Sequence, residues 1–159
     1  MLRKFDRTTK RFSQDRVDFK KILYVEDEDA NWNVAELHLR DKYEIKRAKD
    51  AAETFLLLRK ENFNLILMDI QLAGSSYDGI EICRILKQQP RQQIPPEARS
   101  LNCKDIPIVF VTAFSERYSK DYLMEVGGDE MITKPVDFTR LTLVSSRLII
   151  KSIQRASQM

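Results

Sequence analysis

Short apolar runs alternate with helix-periodic stretches along most of this chain. Ile22–Val25, Leu65–Asp69 and Ile108–Thr112 are runs of four or five residues rich in Ile, Leu and Val, the length and composition of buried strands. Two weaker strand-like stretches fall at Tyr43–Arg47 and Glu130–Thr133. Helical spacing predicts helices over Ala30–Leu39, with Val34, Leu37 and His38 on one face, and over Ala51–Lys60, with Ala52, Phe55, Leu56 and Leu58. Further helices are predicted over Gly79–Gln88, around Ser119–Val126, and from an Asp137 N-cap to about Ala156. Five βα units in this order predict an α/β fold with a doubly wound parallel sheet. The first, third and fourth strands are the most apolar, as expected of strands covered on both faces.

What ends these runs carries the chemistry. Asp69 closes the third strand, Glu26 and Asp27 follow the first, Thr112 closes the fourth, and Lys134 follows the fifth. In a parallel sheet all these positions lie on one edge, outside the carboxyl ends of the strands, where α/β proteins bind ligands. Three carboxylates crowded together repel one another unless a cation is present. Magnesium suits them, since it takes oxygen ligands and keeps several waters. Asp27 and Asp69 would ligate it directly, and Glu26 directly or through water. A phosphoryl group in transfer spreads charge over three oxygens. Magnesium, the Lys134 ammonium and the Thr112 hydroxyl could each hold one. The set points to a magnesium-dependent phosphoryl acceptor.

Composition adds limits. The chain has 159 residues, and 43% of them are hydrophobic, enough for a core. No apolar stretch approaches the ~20 residues that span a bilayer, and the first residues lack a signal-peptide core. The expected location is cytoplasmic, with no membrane partner. Cys83 and Cys103 have no metal-ligand spacing and read as reduced thiols, and His38, the only histidine, excludes a site that needs two. Residues 1–21 carry eight Lys or Arg against three Asp, so the basic character sits in a leader and the rest of the chain is net −2. The expected organisation is a basic extension over 1–19, a domain over 20–150, and 151–159 as the end of the long last helix. Residues 88–105 form a long Gln- and Pro-rich insertion that should be an exposed loop. Nucleic acid is not the expected partner, and neither G-x-x-x-x-G-K-[ST] nor G-x-G-x-x-G occurs.

The segments ILYVEDE, LILMDIQL, DGIEICRILK, IPIVFVTA and GGDEMITKP, between about Lys20 and Leu148, resemble the receiver domain of bacterial two-component response regulators. The resemblance implies a flavodoxin-like (βα)5 fold with strand order 2-1-3-4-5. It implies Asp69 as the phosphorylated residue, Glu26 and Asp27 as the acidic pair, and the main-chain carbonyl of Gln71 as a further magnesium ligand. It implies Thr112 as the switch hydroxyl, Lys134 as the phosphate-binding lysine, and a cis Lys134–Pro135 bond. Partners would be a histidine kinase or histidine phosphotransfer protein upstream. Downstream, a protein or a second copy of the chain would dock on the last two βα units and the long last helix.

Several departures accompany the match. The loop after Asp69 is longer, with Ala73 where proline is common, and Met131 stands where the family carries a switching aromatic residue. Phe114, two residues after Thr112, would shield the phosphoryl group from water and slow its hydrolysis. Only about ten residues follow the receiver-like region, so a stand-alone receiver is expected. A phosphorylation-independent connector with the same fold is the competing reading. Gly127–Glu130 spell GGDE, the start of the diguanylate cyclase signature, but the chain has no room for that domain, and a turn into strand five is expected. Gln71 stands where dehalogenase-class phosphohydrolases need a second aspartate.

Overall fold

A computed structural model describes residues 18–90, 92–113 and 117–158. In chain order the elements are β1 (Lys21–Val25), α1 (Asp29–Leu39), β2 (Glu44–Ala48), α2 (Ala51–Lys60), β3 (Leu65–Met68) and α3 (Gly79–Leu86). A short 3-10 turn (Pro96–Ala98) precedes β4 (Ile108–Thr112), α4 (Lys120–Glu125), β5 (Glu130–Thr133) and α5 (Phe138–Ser157). All strand pairs are parallel, in the order β2-β1-β3-β4-β5. This is the doubly wound (βα)5 sheet that the alternation of runs predicts.

The two-residue period of a strand divides the core between the two faces of the sheet. Leu23, Val25, Ile66, Met68, Ile108 and Phe110 face α2, α3 and α4. Ile22, Tyr24, Leu65, Leu67, Val109 and Val111 face α1 and α5. Central β3 and β4 are buried throughout, whereas edge strands β2 and β5 are only partly covered. Asp50, Asp78, Ser119 and Asp137 each cap a helix by accepting a main-chain N–H three residues on. The Lys134–Pro135 bond is cis.

Several expectations need correction; in α2, Ala52 and Leu56 are exposed. In α1 the buried residues are Ala35 and Leu39, while Val34 and Leu37 are 47% and 57% exposed. The helix presents Ala35 and Leu39 to the sheet and turns Val34 and Leu37 outward. His38 stacks on Phe138 of α5 at 4.2 Å rather than entering the core. β3 stops at Met68, and β2 runs one residue later than expected. The 88–105 segment is not simply an exposed loop: Ala98 and Cys103 are buried, and Ile94 and Leu101 pack on the core. Its few apolar residues anchor it beside α2, where Arg59 donates to the Glu97 carbonyl at 2.6 Å.

Both cysteines are free and buried, and burial pushes the Cys83 thiol up to about 12. Gly127 and Gly128 form the turn into β5, and the adjoining Asp129 carboxylate accepts the Ile108 N–H at 2.9 Å. No helix among the described residues is long and apolar enough to cross a membrane. The basic leader through residue 17 and Phe114 lie outside the described residues.

Candidate functional site

Each apolar strand ends at the same edge, and the polar residue that follows it is delivered there. Glu26 continues β1 and is fully buried; Asp69 follows β3 and is 6% exposed. Carboxylate oxygens of Glu26, Asp27 and Asp69 lie within 4.8 Å of one another. Lys134, just past β5, reaches across to both strands: its Nζ is 2.8 Å from Glu26 Oε2 and 3.1 Å from Asp69 Oδ2. Thr112 is fully buried at the end of β4, and its carbonyl accepts the Lys134 main-chain N–H at 2.9 Å.

Every carboxylate here has a specific restraint. Glu26 accepts from Lys134, from the Tyr24 hydroxyl at 3.1 Å, and from the Glu28 main-chain N–H at 3.0 Å. Asp27 accepts the Ala73 N–H at 3.0 Å, which ties the lengthened loop after β3 to the acidic pair. Asp69 Oδ1 accepts the Ile70 N–H at 2.8 Å. Asp27, Asp69, Gln71 and Lys134 line an open cleft of 610 Å³. Gln71 itself is exposed on its rim.

Burial dominates the electrostatics. It raises the Asp69 pKa to about 6; the Lys134 charge opposes this and the Glu26 charge adds to it. Burial works against the Lys134 charge too, but the hydrogen bond and charge of Glu26, with the charge of Asp69, outweigh it and raise its pKa. Burial, then Glu26, pushes the Tyr24 phenol well above its usual range, so it remains a donor. Three carboxylates share one ammonium in this cluster, which leaves an excess of negative charge and free oxygen lone pairs. That donor set fits a hard divalent cation.

Two further residues shape the site. Arg47, in β2, donates to the carbonyls of Glu26 at 2.8 Å and Asp27 at 2.9 Å, and to the Asp29 carboxylate at 2.7 Å. Its side chain is largely buried, and it grips the acidic loop from behind. Gly79 opens α3 against Asp69: a Cβ there would fall 2.0 Å from the Asp69 carbonyl oxygen. Only glycine permits that approach. Met131, in place of the family's aromatic residue, is partly buried and packs on the core, as does Tyr118.

The chain belongs to the response regulator receiver domain family, whose model matches residues 22–145. It is 28% identical over 141 residues to response regulator PleD of Caulobacter vibrioides, covering 85% of this chain and 28% of that protein. The alkaline phosphatase synthesis transcriptional regulatory protein PhoP of Bacillus subtilis is 32% identical over 117 residues, 73% of this chain and 42% of its own length. The chain thus spans well under two thirds of these curated relatives. Among solved structures, NtrX of Brucella abortus superposes with a TM-score of 0.71 at 24% identity, over 86% of this chain and 28% of that one. The receiver domain of a sensor histidine kinase from Pseudomonas aeruginosa, which has a magnesium ion coordinated in its active site cleft, gives 0.67 at 24% identity, over 82% and 98%. At these identities the structural likenesses establish the fold.

Proposed function

We propose that this receiver accepts a phosphoryl group on Asp69 from a histidine kinase or histidine phosphotransfer protein, with Mg²⁺ as cofactor. The observation that carries the reading is Lys134 bridging Glu26 and Asp69 at 2.8 and 3.1 Å beside a cleft that also holds Asp27. In the transfer, an Asp69 carboxylate oxygen forms the new P–O bond as the P–N bond of the donor phosphohistidine breaks, and the imidazole leaves with the electron pair. Lys134 then shifts from the carboxylates to a phosphoryl oxygen, and the Thr112 hydroxyl holds another. Asp27, Asp69 and the Gln71 carbonyl would hold magnesium, with Glu26 directly or through water, and the ion supplies charge neutralisation at the phosphoryl oxygens.

Phosphorylation biases a two-state equilibrium, and the α4-β5-α5 surface presents the result to a partner protein or a second copy of the chain. Met131 favours one competing reading, a connector that works without phosphorylation, because a thioether cannot make the hydrogen bond of an aromatic hydroxyl in the switch. Incubation with Mg²⁺ and a small-molecule phosphodonor, followed by intact mass, separates the two. A gain of one phosphoryl group that disappears with a chelator supports the phosphoacceptor, and an unchanged mass refutes it.

A further inference from the structure

Two segments that lengthen this chain, the 88–105 connection and the long α5, meet at the opposite edge of the sheet. There Ser152 of α5 donates to the Asp105 carbonyl at 3.5 Å, just before β4 begins. Between them lies a cavity of 270 Å³. Pro107 and Leu148 give it apolar wall, and Lys87, Lys104, Lys151 and Arg155 bring four cations to it. Asp105 and Asp129 also line it, so the local balance is positive although residues 22–159 are net −2. Among the described residues no carboxylate forms an ion pair with any of the four cations.

Lys87 is the unusual member. Its stem packs against Gly127, where a Cβ would fall 2.5 Å from Lys87 Cγ. Its ammonium donates to the carbonyls of Lys104 at 2.9 Å and Ile106 at 2.5 Å. An ammonium has three N–H donors, so one remains beyond these two bonds. Burial pulls its pKa below the usual lysine range, and the Asp129 charge only partly offsets this. A half-buried charge with no carboxylate in contact is costly, and an arriving anion would remove that cost through a charge-assisted hydrogen bond.

We propose that this cavity binds a small anion, a carboxylate or phosphate group on a compact molecule, anchored by Lys87 and covered by Lys151 and Arg155. The volume lies just below the ~300 Å³ at which pockets for drug-sized ligands begin, so the ligand has few heavy atoms. The test is amide NMR on the full ¹⁵N-labelled chain without Mg²⁺, titrated separately with inorganic phosphate and with succinate. Saturable shifts at Lys104, Asp105, Asp129 and residues 151–156 are expected with at least one probe. Lys87→Met keeps the packed stem and should weaken binding by about tenfold. Lys151→Ala with Arg155→Ala, both exposed positions, should weaken it several-fold and carries the test if Lys87→Met does not fold. The proposal is overturned by shifts that do not saturate, by shifts centred on Thr112 and Ala113, or by unchanged affinity in the folded variants. A response to an oligoglutamate peptide alone also overturns it and points instead to an acidic protein segment.

Discussion

In the proposed role as nucleophile, Asp69 must be both buried and ionised, and these demands conflict. Its pKa of about 6 exceeds the ordinary 3.8 because burial outweighs the pull of Lys134. Between those values the folded protein binds more protons than the unfolded chain, so stability falls as pH rises through the window. The penalty reaches at most ~3 kcal/mol above the folded-state value and vanishes below the unfolded one. Asp69→Asn should therefore raise the denaturant midpoint of the Mg²⁺-free protein at about pH 7 and leave it unchanged near pH 3. An equal effect at both would contradict the assignment of burial as the cause. Arg47 makes a second residue-scale prediction. Lysine keeps its charge but cannot fork onto two carbonyls. Arg47→Lys should cost ~1–2 kcal/mol in urea denaturation and weaken Mg²⁺ binding several-fold. The emission of Trp32, which lies 6.5 Å from Tyr24, would report the binding. That Glu26, Asp27, Asp69, Thr112 and Lys134 gather at one sheet edge is legible because a polar residue that halts an apolar run is conspicuous. Arg47 was not, since it sits among polar residues in an edge strand and its targets are carbonyls that every residue has.

Among the elements, strands were easier to read than helix faces or the long connection. An apolar run buried on both sides needs no choice of face, so β1, β3 and β4 followed directly from composition. A helix face depends on what lies opposite. In α1 the sheet accepts Ala35 and Leu39, and Val34 and Leu37 remain outside. The 88–105 segment looked exposed because polar residues outnumber apolar ones, yet Ala98 and Cys103 suffice to anchor it. The junction of β3 and α3 is the least tolerant place in the fold. Gly79→Ala would drive a methyl group into the Asp69 carbonyl, so backbone must move. A loss of at least ~2 kcal/mol in thermal or urea denaturation is expected, together with slower phosphorylation. A variant with wild-type stability and phosphorylation rate would show that the junction relaxes freely.

For the whole molecule, the order β2-β1-β3-β4-β5 brings β1 and β3 together at its centre, so Glu26, Asp27 and Asp69 are neighbours despite more than forty residues between them. The gathering of strand-end residues is legible for this reason: a parallel sheet turns distant sequence positions into one edge. What happens at the opposite edge was not legible, because the cavity there depends on where a loop and a helix end come to rest. The account stands or falls on Asp69 as the acceptor. The most direct measurement is borohydride reduction after phosphorylation with Mg²⁺ and a small phosphodonor, followed by peptide mapping, since reduction converts an aspartyl phosphate to homoserine. The predicted result is homoserine at position 69 alone, in the peptide that contains Leu65–Gln71, and none in the Asp69→Asn protein. Conversion at another aspartate, or in that variant, would contradict the account.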